Sequence, residues 1–170
     1  MPVPSKTKAR RASNIKTKFM QKTQLTPHFS LEEMTRSATA LRLNIDNRPA
    51  AAHVANLCRL CINVLEPLRH RFGPLVVTSG YRSPQLNRAV GGVATSQHTR
   101  GEAADVRVES PAQGREMLAF VSRCCNFDQA ILEYAPRTNC YWLHVSCKAC
   151  PENNRRQAWN ACPEERRNSR

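Results

Sequence analysis

With 170 residues the chain suits one domain with a core of ordinary proportions. Its 26 Lys and Arg against 13 Asp and Glu give a formal charge of +13, spread so unevenly that only part of the chain is marked for a polyanion. No apolar run is long enough for a membrane helix or for the core of an export signal, which excludes a membrane-spanning role.

The stretch from Met1 to Pro27 carries Lys6, Lys8, Arg10, Arg11, Lys16, Lys18 and Lys22 and no acidic residue. With few large apolar side chains to offset its ordering entropy, it is expected to be a disordered arm or to order only on a partner. Such an arm suits contact with nucleic acid, an anionic polymer or acidic lipid, and equally a solubilising terminus. Only Phe19 is interleaved with the charges, so the stacking element of a single-strand binder is missing, and nucleic-acid recognition as the main function ranks last. Ser30 followed by Glu33 is a capping box, with Phe29 and Met34 placed as its hydrophobic staple, and predicts a short helix from Leu31. From about Pro49 to Phe72, Val54, Leu57, Cys58, Cys61, Leu65, Leu68 and Phe72 recur at helical spacing. Gly73 stops this core helix and Pro67 is expected to bend it. Leu75 to Thr78 reads as a buried strand entering a Ser79-Gly80 turn. Ser83 and Pro84 read as the cap and first position of a further helix, with Gly91-Gly92 as its exit. Another helix is expected from Ser110-Pro111 to about Arg123. Phe127 to Tyr134 and Tyr141 to Cys147 read as two strands joined by residues 135–140.

Between these elements stand His98 and Asp105, in Ser96-Gln97-His98-Thr99-Arg100-Gly101-Glu102-Ala103-Ala104-Asp105. His144 lies on the last strand, in Trp142-Leu143-His144-Val145-Ser146. Two imidazoles and one carboxylate make a three-ligand set for zinc with a fourth position free, the pattern of a catalytic site. Zinc in such a site lowers the pKa of its water from about 16 towards 7 and polarises a carbonyl. The H-x6-D spacing alone recurs by chance. The ordered series Thr78-Ser79-Gly80-Tyr81-Arg82-Ser83-Pro84-Gln85-Leu86-Asn87, Ala89-Val90-Gly91-Gly92, Ser96-Gln97-His98, Gly101, Ala103-Ala104-Asp105 and Trp142 to Ser146 is more specific. It resembles the zinc D-alanyl-D-alanine carboxypeptidases, peptidases of peptidoglycan that include phage endolysins, from about His28 to Ser146.

The resemblance implies an α+β fold of the hedgehog and DD-peptidase kind, a small antiparallel sheet flanked by helices. It implies one catalytic Zn2+ held by His98, Asp105 and His144, with Arg82 facing the substrate or the developing oxyanion and Ser96 helping to hold substrate. The expected organisation is a basic arm at 1–27, a peptidase domain at 28–150 and a charged tail at 151–170. The substrate implied is a peptidoglycan stem peptide, cleaved by a monomer made in a bacterial or phage-infected cytoplasm and acting at the wall after release or from a virion. A catalytically inactive wall-binding or virion protein that keeps the metal site is the alternative. It draws on one departure: some relatives carry an acid two or three residues before the final histidine, where this chain has Trp142 and Tyr141.

A proton acceptor is still needed for hydrolysis. Glu133 and Asp128 are the candidates. A symmetric hairpin pairs Tyr134 with Tyr141 and Glu133 with Trp142, which puts Glu133 on the face of His144 and turns Asp128 away, and a one-residue slip reverses them. Glu102 reads as an exposed loop carboxylate. Arg82 could grip a terminal carboxylate bidentately, stabilise an oxyanion, or simply pair with an acid such as Asp105. Tyr81 reads as packing, and His28, His53 and His70 fall in no ligand pattern. Cys58 and Cys61 lie on an apolar stripe, and the eight cysteines are expected to be free thiols in a reducing compartment. Two further options are a Cys140–Cys147 bridge across the hairpin after release and a second zinc on Cys147, Cys150, Cys162 and another thiol.

Overall fold

The computed structural model of the chain describes residues 23–163. The expectations for the basic arm up to residue 22 and for the tail from residue 164 lie outside the described residues. Residues 23–27, assigned to the arm from sequence, are built into the domain. Leu31 N–H donates to the Thr23 carbonyl, Leu25 N–H to that of Phe29, and Leu25 packs on the core.

Local signals explain most helices. Ser30 Oγ accepts from Glu33 N–H and starts α1, Leu31–Thr35, with Phe29 and Met34 buried beside it. Ser37 caps α2, Ala38–Arg42, in the same way. The long core helix begins as α3, Ala51–Leu60, passes through one π-helical stretch at Cys61–Leu65 and ends as α4, Glu66–Phe72, before Gly73 at φ 82°. Pro67 has no N–H for the carbonyl four residues back, and just before it Glu66 N–H reaches the Cys61 carbonyl five residues back. Leu60 and Val64 join Leu57, Cys61, Leu65 and Leu68 in the core at helical spacing, while Cys58 is only half-buried. Thus the chain answers the proline with a π turn. Ser83 caps α5, Pro84–Ala89, and Ser110 caps α6, Pro111–Cys124.

The sheet has five strands in the order β1-β2-β4-β3-β5: β1 Val77–Ser79, β2 Ala103–Val108, β3 Gln129–Ala135, β4 Cys140–Ser146 and β5 Gln157–Asn160. All pairings are antiparallel except β3 with β5. The architecture is α+β. One face of the sheet carries Val106, Ala130, Leu132, Leu143 and Val145 against Met117 and Val121 of α6 and the α3–α4 helix. Asp105, His144, Ile131 and Glu133 alternate with these residues and share the other face. Two strands were not legible beforehand: β2 lay inside the metal motif, and β5 lies in what composition marks as a tail. Cys140 opens β4 and Cys147 follows its last residue, about 23 Å away at strand rise, so they cannot bridge. All eight cysteines are free thiols, and among the described residues none joins a group able to hold a metal.

Candidate metal centre

Three elements bring His98, Asp105 and His144 together. β2 and β4 pair with Asp105 directly opposite His144, so the two side chains stand side by side on the face away from the core. His98 comes from a 3-10 turn, Gln97–Arg100, pinned to the β1–α5 loop by the Arg82 N–H to His98 carbonyl bond of 3.1 Å. The His98 ring sends Nδ1 to the Gly80 carbonyl at 2.7 Å. A carbonyl only accepts, so the proton sits on Nδ1 and the Nε2 lone pair is left for the site. Nε2 lies 3.3 Å from Asp105 Oδ1, and His144 Nδ1 lies 2.9 Å from the same oxygen.

This geometry fits a zinc ion by the chemistry of its donors. The three ligating atoms lie within 4.8 Å of one another. Ligands at 2.0–2.2 Å from a tetrahedral zinc sit about 3.3–3.6 Å apart, so the two separations to Asp105 Oδ1 lie within a few tenths of an ångström of that spacing. Asp105 is buried; burial alone would push its carboxyl up, but the imidazoles of His98 and His144 beside it, when protonated, hold it well below the ordinary range. It is therefore an anion at neutral pH, as a ligand must be.

Arg82 makes the pairing with Asp105 that its sequence position allowed. Its Nη2 donates to Asp105 Oδ2 at 2.7 Å and its Nε to Ser79 Oγ at 2.8 Å. Nη1 makes no hydrogen bond to a described residue, so the guanidinium is oriented with one amine to spare. The supporting groups Ser79, Gly80 and Asn47 were not singled out for the site from sequence. Asn47 accepts from Ser83 N–H and donates to the Tyr81 and Thr35 carbonyls, fixing the loop. Gly80 is obligatory, because a Cβ there would fall 2.2 Å from the Met34 carbonyl oxygen. Tyr81 packs, stacked on His53 at 5.2 Å between ring centres.

The hairpin register pairs Glu133 with Trp142 and Ile131 with His144. Glu133 is consequently diagonal to His144 on one face. Burial raises its carboxyl pKa above the ordinary value, opposed by the charge of His144, and it makes no hydrogen bond or ion pair with a described residue. Asp128 is elsewhere engaged. It is fully buried, with its carboxylate bound to Arg155 Nη2 at 2.5 Å, Arg155 backbone N–H at 2.8 Å and Gln97 Nε2 at 3.1 Å. Burial raises its pKa, yet the hydrogen bonds from Arg155 and Lys148 bring it down to about 2. It fastens the segment leading into β5, and both of its carboxylate oxygens are engaged by these donors. Glu102 is buried rather than exposed, held by Arg100 Nε at 2.7 Å and Ala149 N–H at 3.0 Å.

Two clefts border residues of the site, one at Arg82 and one at His144. One, of about 560 Å3, runs past Ser79 and Arg82 between apolar walls that include Val76, Leu86 and Val90. The other, of about 470 Å3, is polar and is lined by Ser96, Gln129, His144 and Lys148. An α+β domain with two imidazoles and a carboxylate converging at a cleft defines the class of metal-binding hydrolases. Residues 27–146 match the family model described as Peptidase M15, and the chain belongs to that family of zinc-dependent peptidases. No curated protein matches the chain. Among the described residues no helix is long and apolar enough to cross a membrane.

Proposed function

We propose that the protein hydrolyses peptide bonds in the stem peptides of peptidoglycan, with one catalytic zinc ion held by His98, Asp105 and His144. The observation that carries this reading is the convergence of His98 Nε2 and His144 Nδ1 on Asp105 Oδ1, beside the polar cleft that His144 lines. When bound, zinc supplies Lewis acidity to the scissile carbonyl and lowers the pKa of water at the site. The residues of the chain do the rest. Glu133 takes the proton of the attacking water and returns it to the leaving amine, and a carboxyl raised by burial suits that exchange. Arg82, oriented by Ser79 and Asp105, offers Nη1 to the developing oxyanion or to a terminal carboxylate. Ser96 lines the polar cleft beside His144 and holds substrate there.

All ligands come from one chain, so a monomer suffices, acting at the wall after release or from a virion. Mass spectrometry of muropeptides incubated with the pure, zinc-loaded protein tests the reading, because the released fragment names the bond. His98→Ala is expected to abolish release. Zinc-loaded protein that binds purified walls yet releases no peptide would refute hydrolysis and leave a wall-binding module.

A further inference from the structure

His28, Glu66 and His70 lie far from each other or in no ligand pattern by sequence, but the fold brings them together. Glu66 opens α4, His70 follows one turn later, and His28 precedes α1. His28 Nδ1 is 2.7 Å from Glu66 Oε2 and His70 Nε2 is 3.9 Å from the same oxygen. The imidazoles meet edge to face with centres 5.5 Å apart. The three ligating atoms lie within 4.8 Å of one another. Two imidazole nitrogens thus converge on one carboxylate oxygen, the same donor set and arrangement as at His98, Asp105 and His144.

The electrostatics ask for a cation. Glu66 is buried, its side chain 11% exposed, and its Oε1 is already taken by the His28 backbone N–H at 3.0 Å. Among the described residues no lysine or arginine pairs with it; its only charge partners are the two histidines. Histidine carries no fixed charge at neutral pH, whereas a buried carboxylate needs a compensating one. Zinc ligands sit about 3.3–3.6 Å apart, so the shorter separation must open and the longer close by about half an ångström. The His70 side chain, 72% exposed, is free to make that move.

We propose that His28, Glu66 and His70 form a second, solvent-facing site for a zinc-class divalent cation, which pins the segment before α1 to α4. The imidazole donors select late first-row ions over calcium or magnesium. The proposal is independent of the hydrolytic reading.

Zinc is counted per chain on metal-stripped protein after equilibrium dialysis, with the exposed thiols of Cys124, Cys140 and Cys150 blocked beforehand. Two ions in the unaltered chain, falling to one in His70→Ala and to one in His98→Ala, support both sites. His28→Ala is a second surface variant expected to repeat the His70→Ala loss, and both keep hydrolysis unchanged. One ion that persists in His70→Ala and His28→Ala and vanishes in His98→Ala overturns the second site and leaves the catalytic cluster standing. One ion that behaves the opposite way supports the second site and overturns the first.

Discussion

Glu133→Gln separates chemistry from structure. Glu133 stands diagonally to His144 on the adjacent strand, about 7–8 Å away in the backbone, and under the proposed reading its carboxylate takes the proton of a water at the cluster without being one of the converging ligands. It hydrogen-bonds to no described residue, so the isosteric amide removes no internal contact. A positioned general base contributes about 10²–10⁴-fold to kcat, which corresponds to about 3–5 kcal/mol of transition-state stabilisation. The variant is therefore expected to lose that factor in kcat while keeping its zinc content and its urea midpoint. The pH profile adds a second readout. Below its pKa the protonated carboxyl cannot accept a proton, so kcat/KM of the unaltered chain falls on the acid side, at a pH above the ordinary glutamate value because burial raises this group. That limb disappears in Glu133→Gln. Steady-state hydrolysis of a defined stem peptide across pH, with metal analysis of both proteins, measures it. A kcat within tenfold of the unaltered chain, with the acid limb intact, would refute the assignment.

Asp128→Asn is expected to cost stability and spare chemistry. Arg155 is half-exposed and regains water, so the loss is about 1–3 kcal/mol by urea unfolding, with kcat changed by no more than a few-fold. The folded pKa of Asp128 is depressed to about 2, so its contribution is full above about pH 4 and is lost as the pH falls towards 2. Asp128→Asn abolishes that increment of acid lability, and activity lost at unchanged stability would contradict the anchoring role. Gly80→Ala forces a Cβ to within 2.2 Å of the Met34 carbonyl oxygen and displaces the Gly80 carbonyl that orients His98. It is expected to weaken zinc affinity by about 10–100-fold in a chelator competition, and an unchanged affinity would show that this carbonyl does not set the ring.

What could be read from the residues was local or periodic. Ser30, Ser83 and Ser110 announce their helices because a cap acts within three residues, and the parity of a short hairpin was enough to put Glu133 and His144 on one face. The strand β2 was hidden because Ala103, Ala104, Asp105 and Val106 are all buried, so it lacks the polar and apolar alternation of a half-exposed strand. β5 carries a weak apolar signal, with Trp159 its one large apolar residue: Gln157–Asn160 is exposed throughout and is held by backbone pairing to β3 and by Arg155 on Asp128. That capture joins residues 27 positions apart, and no spacing rule reaches it. The same limit hid His28 from Glu66, 38 positions away, although Glu66 and His70 lie at helical spacing.

The short fifth strand also governs how this molecule behaves in company. The sheet's outermost strands, β1 and β5, have only three and four residues. Were the segment carrying β5 to peel off, the outer edge of β3 at Gln129–Leu132 would be unpaired, with Ala130, Ile131 and Leu132 among its residues, as a template for strand addition by another copy. By holding that segment in place, the buried Asp128 carboxylate keeps an aggregation-prone ribbon covered.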